Sequence, residues 1–327
     1  MDAGAPWPGA VAVSGGGDSV ALMHLLARWA KKARRPAPLV VTVDHGLRDD
    51  SAADARRVLR WAKALGLKAK ALRWTGPRPA ADIEAAARAA RYELMGAWLQ
   101  KQKLQALYVA HTGDDQAETF LLRLARGSGL DGLAAMRPLS PYPLAGFRDL
   151  AVARPLLGFH RAELRDHLSA AGHAWLEDPM NGEDRFARVR LRKLLPALEE
   201  AGLSAARIAD AAVHLARARA ALEEVTAAVL ARAARREASG IHIDPAALTA
   251  APREIALRAL AELLMAVSGQ SYRPRFERLE RLFDALRDGR LGGGATLHGC
   301  QLVPARGGAF GAGTVLLTPE TGRRRGK

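Results

Sequence analysis

The chain has 327 residues, 49% of them hydrophobic and 25% charged, enough for about two domains with a core each. No stretch nears the ~18 uninterrupted apolar residues of a membrane span, and no basic-then-apolar leader opens the chain. One cysteine, Cys300, excludes an internal disulfide, a CxxC metal site and an Fe–S cluster, and a cytosolic protein without structural zinc is expected. Lys+Arg 49 against Asp+Glu 34 gives a net charge of +15. Two causes fit that excess: a polyanionic partner such as RNA, or a genome-wide bias toward Arg and Ala.

Short apolar or β-branched runs at 10–13, 39–43, 67–72, 106–110 and 150–154 read as strands. Between them, amphipathic stretches at 20–31, 52–65, 83–102 and 115–126 read as helices; in the second, Val58, Leu59, Ala62 and Leu65 form one stripe. This alternation predicts an α/β class: a parallel sheet covered on both faces, with ligands at the carboxyl ends of the strands. A further helix is expected at 161–171, then a polar loop from 175 that turns helical near Arg190. From about 204 to 236 Ala, Arg and Leu dominate, as one long helix or two. Helices at 252–267 and 274–287 and a hairpin of 296–303 with 314–318 complete the chain. The expected organisation is an α/β catalytic domain over 1–205, a helical linker over 206–240 and a mainly helical α+β domain over 241–327. Net charge divides as +8 before residue 206 and +7 after it, so a bound polyanion would touch both halves.

The first strand runs into Ser14-Gly15-Gly16-Gly17-Asp18-Ser19, and a helix follows. Glycines permit close backbone approach, successive N–H groups at a helix start form an anion nest, and the two serines add hydroxyls. A Walker loop needs a Lys that is missing here, so an ATP pyrophosphate would rest on backbone, hydroxyls and Mg²⁺, with Asp18 a candidate metal ligand. Gly127-Ser-Gly129-Leu-Asp-Gly132 fits G-x-G-x-x-G literally, but it follows a helix and fails the Rossmann context. The SGGxDS pattern closely resembles the signature of the PP-loop ATP pyrophosphatases (N-type, adenine nucleotide alpha hydrolase-like), which cleave ATP to AMP and pyrophosphate.

Four more segments narrow the resemblance: Asp44-His45-Gly46-Leu47-Arg48, Arg88-Ala89-Ala90-Arg91-Tyr92, His111-Thr112-Gly113-Asp114-Asp115-Gln116-Ala117-Glu118-Thr119, and Glu177-Asp178-Pro179-Met180-Asn181 continuing to Arg188-Val189-Arg190-Leu191-Arg192. In this order, over about 10–196, they resemble tRNA(Ile)-lysidine synthetase. That family adenylates the 2-oxo oxygen of the wobble cytidine in a CAU-anticodon isoleucine tRNA, and the ε-amine of free L-lysine then displaces AMP. A lysine amine arrives protonated at neutral pH, so carboxylates or an imidazole must orient it and take its proton. The resemblance implies ATP binding by Ser14, Gly15, Gly16, Gly17, Asp18 and Ser19. It implies catalytic roles for Asp44, Arg91, His111, Asp115 and Glu118, with Mg²⁺ on Asp18 and Asp115. It implies tRNA contacts by Arg88, Arg126, Asn181, Arg188 and Arg192. Met180 and Val189 stand where the family carries small polar residues. A sulfur-transferring PP-loop tRNA enzyme and a non-enzymatic basic RNA-binding protein are the competing readings.

Overall fold

The computed structural model describes residues 4–46, 50–76, 83–177, 187–270, 272–305, 307 and 309–320. Contacts divide the chain into two compact units, Met1–Ala216 and Arg217–Lys327, with the boundary inside one long helix. Among the described residues no helix is long and apolar enough to cross a membrane.

In the first unit, strands β1 (Ala10–Ala12), β2 (Leu39–Asp44), β3 (Ala69–Arg73) and β4 (Ala106–Tyr108) alternate with helices α1 (Gly17–Lys32), α2 (Ser51–Ala64) and α3 (Ile83–Lys101). After β4 come α4 (Gly113–Leu124), the single turn α5 (Leu130–Leu133), β5 (Leu139–Pro141), β6 (Ala151–Ala153), α6 (Arg161–Ala170) and α7 (Ala187–Glu200). The sheet order is β3-β2-β1-β4-β6-β5, parallel throughout except for β5, which pairs antiparallel with β6. Alternation along the strands sends side chains to two cores. Val11, Val40 and Ala153 join Met23 and Leu26 of α1, Val58 of α2 and Leu168 of α6 on one face. Ala10, Val41, Leu107 and Val152 join Met95 and Leu99 of α3 on the other. Burial on both faces is why these strands read as apolar runs rather than as alternation. The α/β parallel-sheet class expected from the sequence is the one observed.

The second unit begins within α8 (Ala205–Ala233) and continues as β7 (Ala234–Glu237), β8 (Gly240–Ile243), α9 (Pro245–Thr249), α10 (Arg253–Ser268), α11 (Phe276–Arg287), β9 (Ala295–Leu297), β10 (Cys300–Pro304) and β11 (Val315–Pro319). Its antiparallel sheet runs β7-β8-β11-β10-β9 against the apolar faces of α10 and α11. Two details depart from the sequence expectation. The long helix stops at Ala233, and Ala234–Glu237 is a strand, because pairing with β8 overrides the weak strand preference of Arg235, Arg236 and Glu237. The run 296–303 is two strands, β9 and β10, joined by His298 and Gly299, both at positive φ as a two-residue hairpin turn requires.

Leu260 is fully buried at the centre of the second core. Leu260→Ala is expected to cost about 2–5 kcal/mol, read as a lowered urea midpoint for unfolding of that unit.

Candidate active site

The loop between β1 and α1 is braced from within. Ser14 N–H donates to Ser19 Oγ at 3.1 Å, Ser19 Oγ donates to the Gly16 carbonyl at 2.9 Å, and the two hydroxyls lie 3.2 Å apart. Gly15 sits at φ +97°, and a Cβ there would lie 2.5 Å from Leu176 Cδ1, so the position requires glycine. Leu176 N–H closes the far side by donating to the Gly15 carbonyl at 2.9 Å. The first-turn amides of α1 have no intrahelical partner, and no described side chain caps them. The loop thus presents N–H groups to an anion at the carboxyl end of β1.

The carboxylates gather at the end of the adjacent strand β4. Thr112 and Asp115 form a capping box at the start of α4: Thr112 N–H and Oγ1–H donate to Asp115 Oδ2 at 2.8 and 3.1 Å. Glu118, one turn on, is fully buried and receives Arg192 Nε at 2.7 Å and Nη2 at 3.4 Å. Arg161, the first residue of α6, ties the group together. Its Nε lies 3.2 Å from Asp18 Oδ2, and its Nη2 lies 3.2 Å from Asp115 Oδ1 and 3.6 Å from Glu118 Oε1. Its backbone N–H donates to Asp114 Oδ2 at 2.8 Å, and His160 Nδ1 lies 3.4 Å from the same oxygen. Packing of α6 on α1 through Leu164 and Leu168, with the His24 ring 3.7 Å from that of His173 just beyond α6 and tilted 43° to it, delivers Arg161 to Asp18.

These contacts set the charge states. Burial pushes the Asp18 carboxyl above its ordinary value, with Arg161 opposing. Burial would lower the Arg161 guanidinium, but Asp115, Glu118, Asp18 and Asp114 outweigh it and hold it above its usual value. Burial drives the His111 imidazole down to about 4 against the pull of Asp115, with Arg154, Arg88 and Arg188 adding to the fall. His111 is therefore neutral at physiological pH, and its buried Nδ1 has no partner among the described residues.

Asp18, Asp115 and Glu118 thus meet at Arg161, and His111, in the segment between β4 and α4, interacts with Asp115. Asp44 ends β2 and spends its Oδ1 on Ser51 Oγ at 2.6 Å and Gly46 N–H at 3.1 Å; those bonds, Ser51 first, hold its carboxyl below the ordinary range. Arg88 reaches the Tyr92 hydroxyl at 3.4 Å and lies over that ring, and Arg91 is exposed on the same helix. Arg126 is exposed in the turn after α4, and Arg188 lies in the first turn of α7. Arg192, expected at the RNA, is bonded to Glu118 in this structure. Val189 is buried in α7, which suits an apolar side chain at that position. Asn181 and Met180 lie outside the described residues.

Sequence reasoning missed Arg161. Its one signal was a cation in the first turn of a helix, against the macrodipole, a placement that needs anions nearby.

For Mg²⁺, Asp18 Oδ1 is buried without a partner among the described residues. Mg²⁺ is commonly held by one or two carboxylates together with substrate phosphates, so Asp18 and Asp115 beside the anion loop fit it.

A strand-end anion loop and an adjacent carboxylate cluster on a parallel sheet define a nucleotide-binding α/β enzyme. Residues 8–198 match the PP-loop domain family, and the chain belongs to that class. Relatives narrow it further. The tRNA(Ile)-lysidine synthase of Methylobacterium nodulans is 44% identical over 321 residues, covering 97% of this chain and 91% of its own. That of a Bradyrhizobium species is 41% identical over 332 residues, covering 96% and 90%. That of Ruegeria pomeroyi is 41% identical over 293 residues, covering 90% and 68%. The chain belongs to the tRNA(Ile)-lysidine synthase family. Among solved structures, the U34-tRNA thiolase NcsA of Methanococcus maripaludis, with its [4Fe-4S] cluster, superposes with a TM-score of 0.51 at 15% identity over 66% of this chain and 71% of that one, a likeness of fold.

The depressed His111 pKa has a consequence for stability. Between about 4 and the ordinary 6.5, the unfolded chain binds a proton at this position that the folded chain refuses. The neutral His111 thus contributes stability present above pH 6.5 and lost as pH falls toward 4. His111→Asn is expected to flatten the acid fall of stability in that window, measured by chemical denaturation at stepped pH.

Proposed function

We propose that this chain joins lysine to the wobble cytidine of an isoleucine tRNA bearing a CAU anticodon, in the cytoplasm, at the cost of one ATP. It is a carbon–nitrogen ligase of the lysidine synthase family. The observation that carries the residue-level reading is the meeting of the phosphate loop with the Asp115–Glu118 cluster at adjacent strand ends, with Arg161 3.2 Å from both Asp18 and Asp115. In the first step the 2-oxo oxygen of cytidine attacks the α-phosphate, and pyrophosphate leaves. In the second the lysine ε-amine attacks C2, and AMP leaves with the oxygen.

The chain's residues divide the work. Loop amides from Gly15 to Ser19 hold the phosphate oxygens and stabilise charge that grows on them in the transition state. Asp18 and Asp115 would hold Mg²⁺, which when bound neutralises phosphate charge. Asp115 and Glu118 orient the lysine ammonium, and His111 stands beside Asp115 in the catalytic centre. Asp44 and Arg91 complete the catalytic set, Arg91 supplying a cation toward phosphate. Arg88, Arg126 and Arg188, and by family resemblance Asn181, would contact the splayed anticodon nucleotides, whose base edges are readable only when unstacked. The basic second unit adds backbone contacts to the tRNA.

Incubation with ATP, labelled lysine and bulk tRNA, followed by nucleoside analysis, tests this. Label is expected in lysidine only when all three are present; label without ATP, or a thiolated nucleoside, would overturn the reading. Cys300 separates it from sulfur transfer. Its thiol is buried in the second core and donates to the Leu264 carbonyl at 3.3 Å. Cys300→Ser keeps that donor and is expected to form lysidine at nearly the wild-type rate in the same assay.

A further inference from the structure

The carboxylates assigned to lysine already hold a cation supplied by the chain. Asp115 Oδ2 is taken by the Thr112 backbone and hydroxyl, and both Glu118 oxygens engage Arg192. The oxygens still turned toward the loop, Asp115 Oδ1 and one side of Glu118 Oε1, face Arg161 Nη2 at 3.2 and 3.6 Å. An ammonium taken by Asp115 and Glu118 competes with this end of the guanidinium for the same oxygens. The other end, Nε, rests on Asp18 beside the amides that face an anion. Arg161 therefore spans the two subsites, one nitrogen on each.

We propose that Arg161 couples the two substrates: lysine displaces its Nη2 end from Asp115 and Glu118, and the guanidinium shifts to the loop side, onto Asp18 and the phosphates of bound ATP. This rests on the reading that Asp115 and Glu118 take the lysine ammonium. Without nucleotide, the displaced guanidinium keeps Asp18 alone as its partner. With nucleotide it gains phosphate oxygens, which a planar fork can engage in pairs. ATP should then tighten lysine binding, and by linkage lysine should tighten ATP by the same factor.

The test is calorimetric titration of lysine into the full chain, with and without α,β-methylene-ATP, in buffer containing Mg²⁺ throughout. The wild type is expected to bind lysine about tenfold more tightly with the nucleotide analogue, within the usual range of coupling between sites. In Arg161→Gln the factor should fall to near one, with lysine binding in the absence of nucleotide tighter than in the wild type, since no cation needs displacing. Coupling of wild-type size in Arg161→Gln would make Arg161 a plain brace and overturn the proposal. Should Arg161→Gln fail to bind the analogue, Arg161→Lys decides: its shorter point charge cannot reach both subsites, so reduced coupling supports the proposal and full coupling refutes it. Wild-type lysine binding that the analogue leaves unchanged would overturn this inference alone. A wild type that bound no lysine in either arm would overturn the lysine reading and this inference with it.

Discussion

Burying Asp115 and Glu118 at the end of β4 requires a cation held in place, and Arg161 answers that requirement. An ionised carboxylate removed from water without a partner is strongly unfavourable, and removing one side of a buried pair typically costs about 3–5 kcal/mol. Arg161 meets three carboxylates from two helices and does so from the first turn of a third, where the helix dipole works against it by about 0.3–1 kcal/mol. Ion pairs at three carboxylates outweigh that penalty. Arg161 thereby links the start of α6 to Asp18 of α1 and to Asp115 and Glu118 of α4. Asp114 belongs to the same arrangement: by accepting from Arg161 N–H it anchors the backbone of the residue whose side chain the cluster needs.

The parallel sheet explains why so few residues can serve two successive reactions. Helices cover both faces, so its carboxyl edge is where loops from adjacent strands meet. The loop after β1 and the carboxylates at the start of α4 after β4 lie at the ends of paired strands, one strand spacing apart. His111, in the segment between β4 and α4, is kept neutral by burial and by arginines on three other segments, so it adds no further cation beside Asp115.

Much of this was legible in the chain. Apolar runs of strand length separated by amphipathic stretches announced the parallel sheet, and a Ser/Gly/Asp loop between strand and helix marked the candidate phosphate site. What stayed hidden had physical reasons. The strand β5 is three residues long and ends in Pro141, so it carries almost no local signal and exists because β6 offers an edge. Arg235, Arg236 and Glu237 have helical neighbours and poor strand character, and only the partner strand β8 decides their conformation. Arg161 and Arg192 look like two more cations in an arginine-rich chain. Their roles come from long-range pairing, with 46 residues separating Arg161 from Asp115 and 74 separating Arg192 from Glu118, a relation that no local spacing encodes.

The serines of the loop carry one further consequence. Ser14 and Ser19 direct their hydroxyls at each other and at the loop's own backbone, leaving backbone amides as the surface a phosphate meets. Amide N–H groups carry no titratable proton in the physiological range. The loop's amide donors are therefore indifferent to acidity, whereas Asp18, whose carboxyl burial holds above its ordinary value, and His111, whose imidazole burial holds down to about 4, are groups that pH can change. The loop backbone is a fixed mould, and the side chains set beside it are the proton-sensitive part of the site.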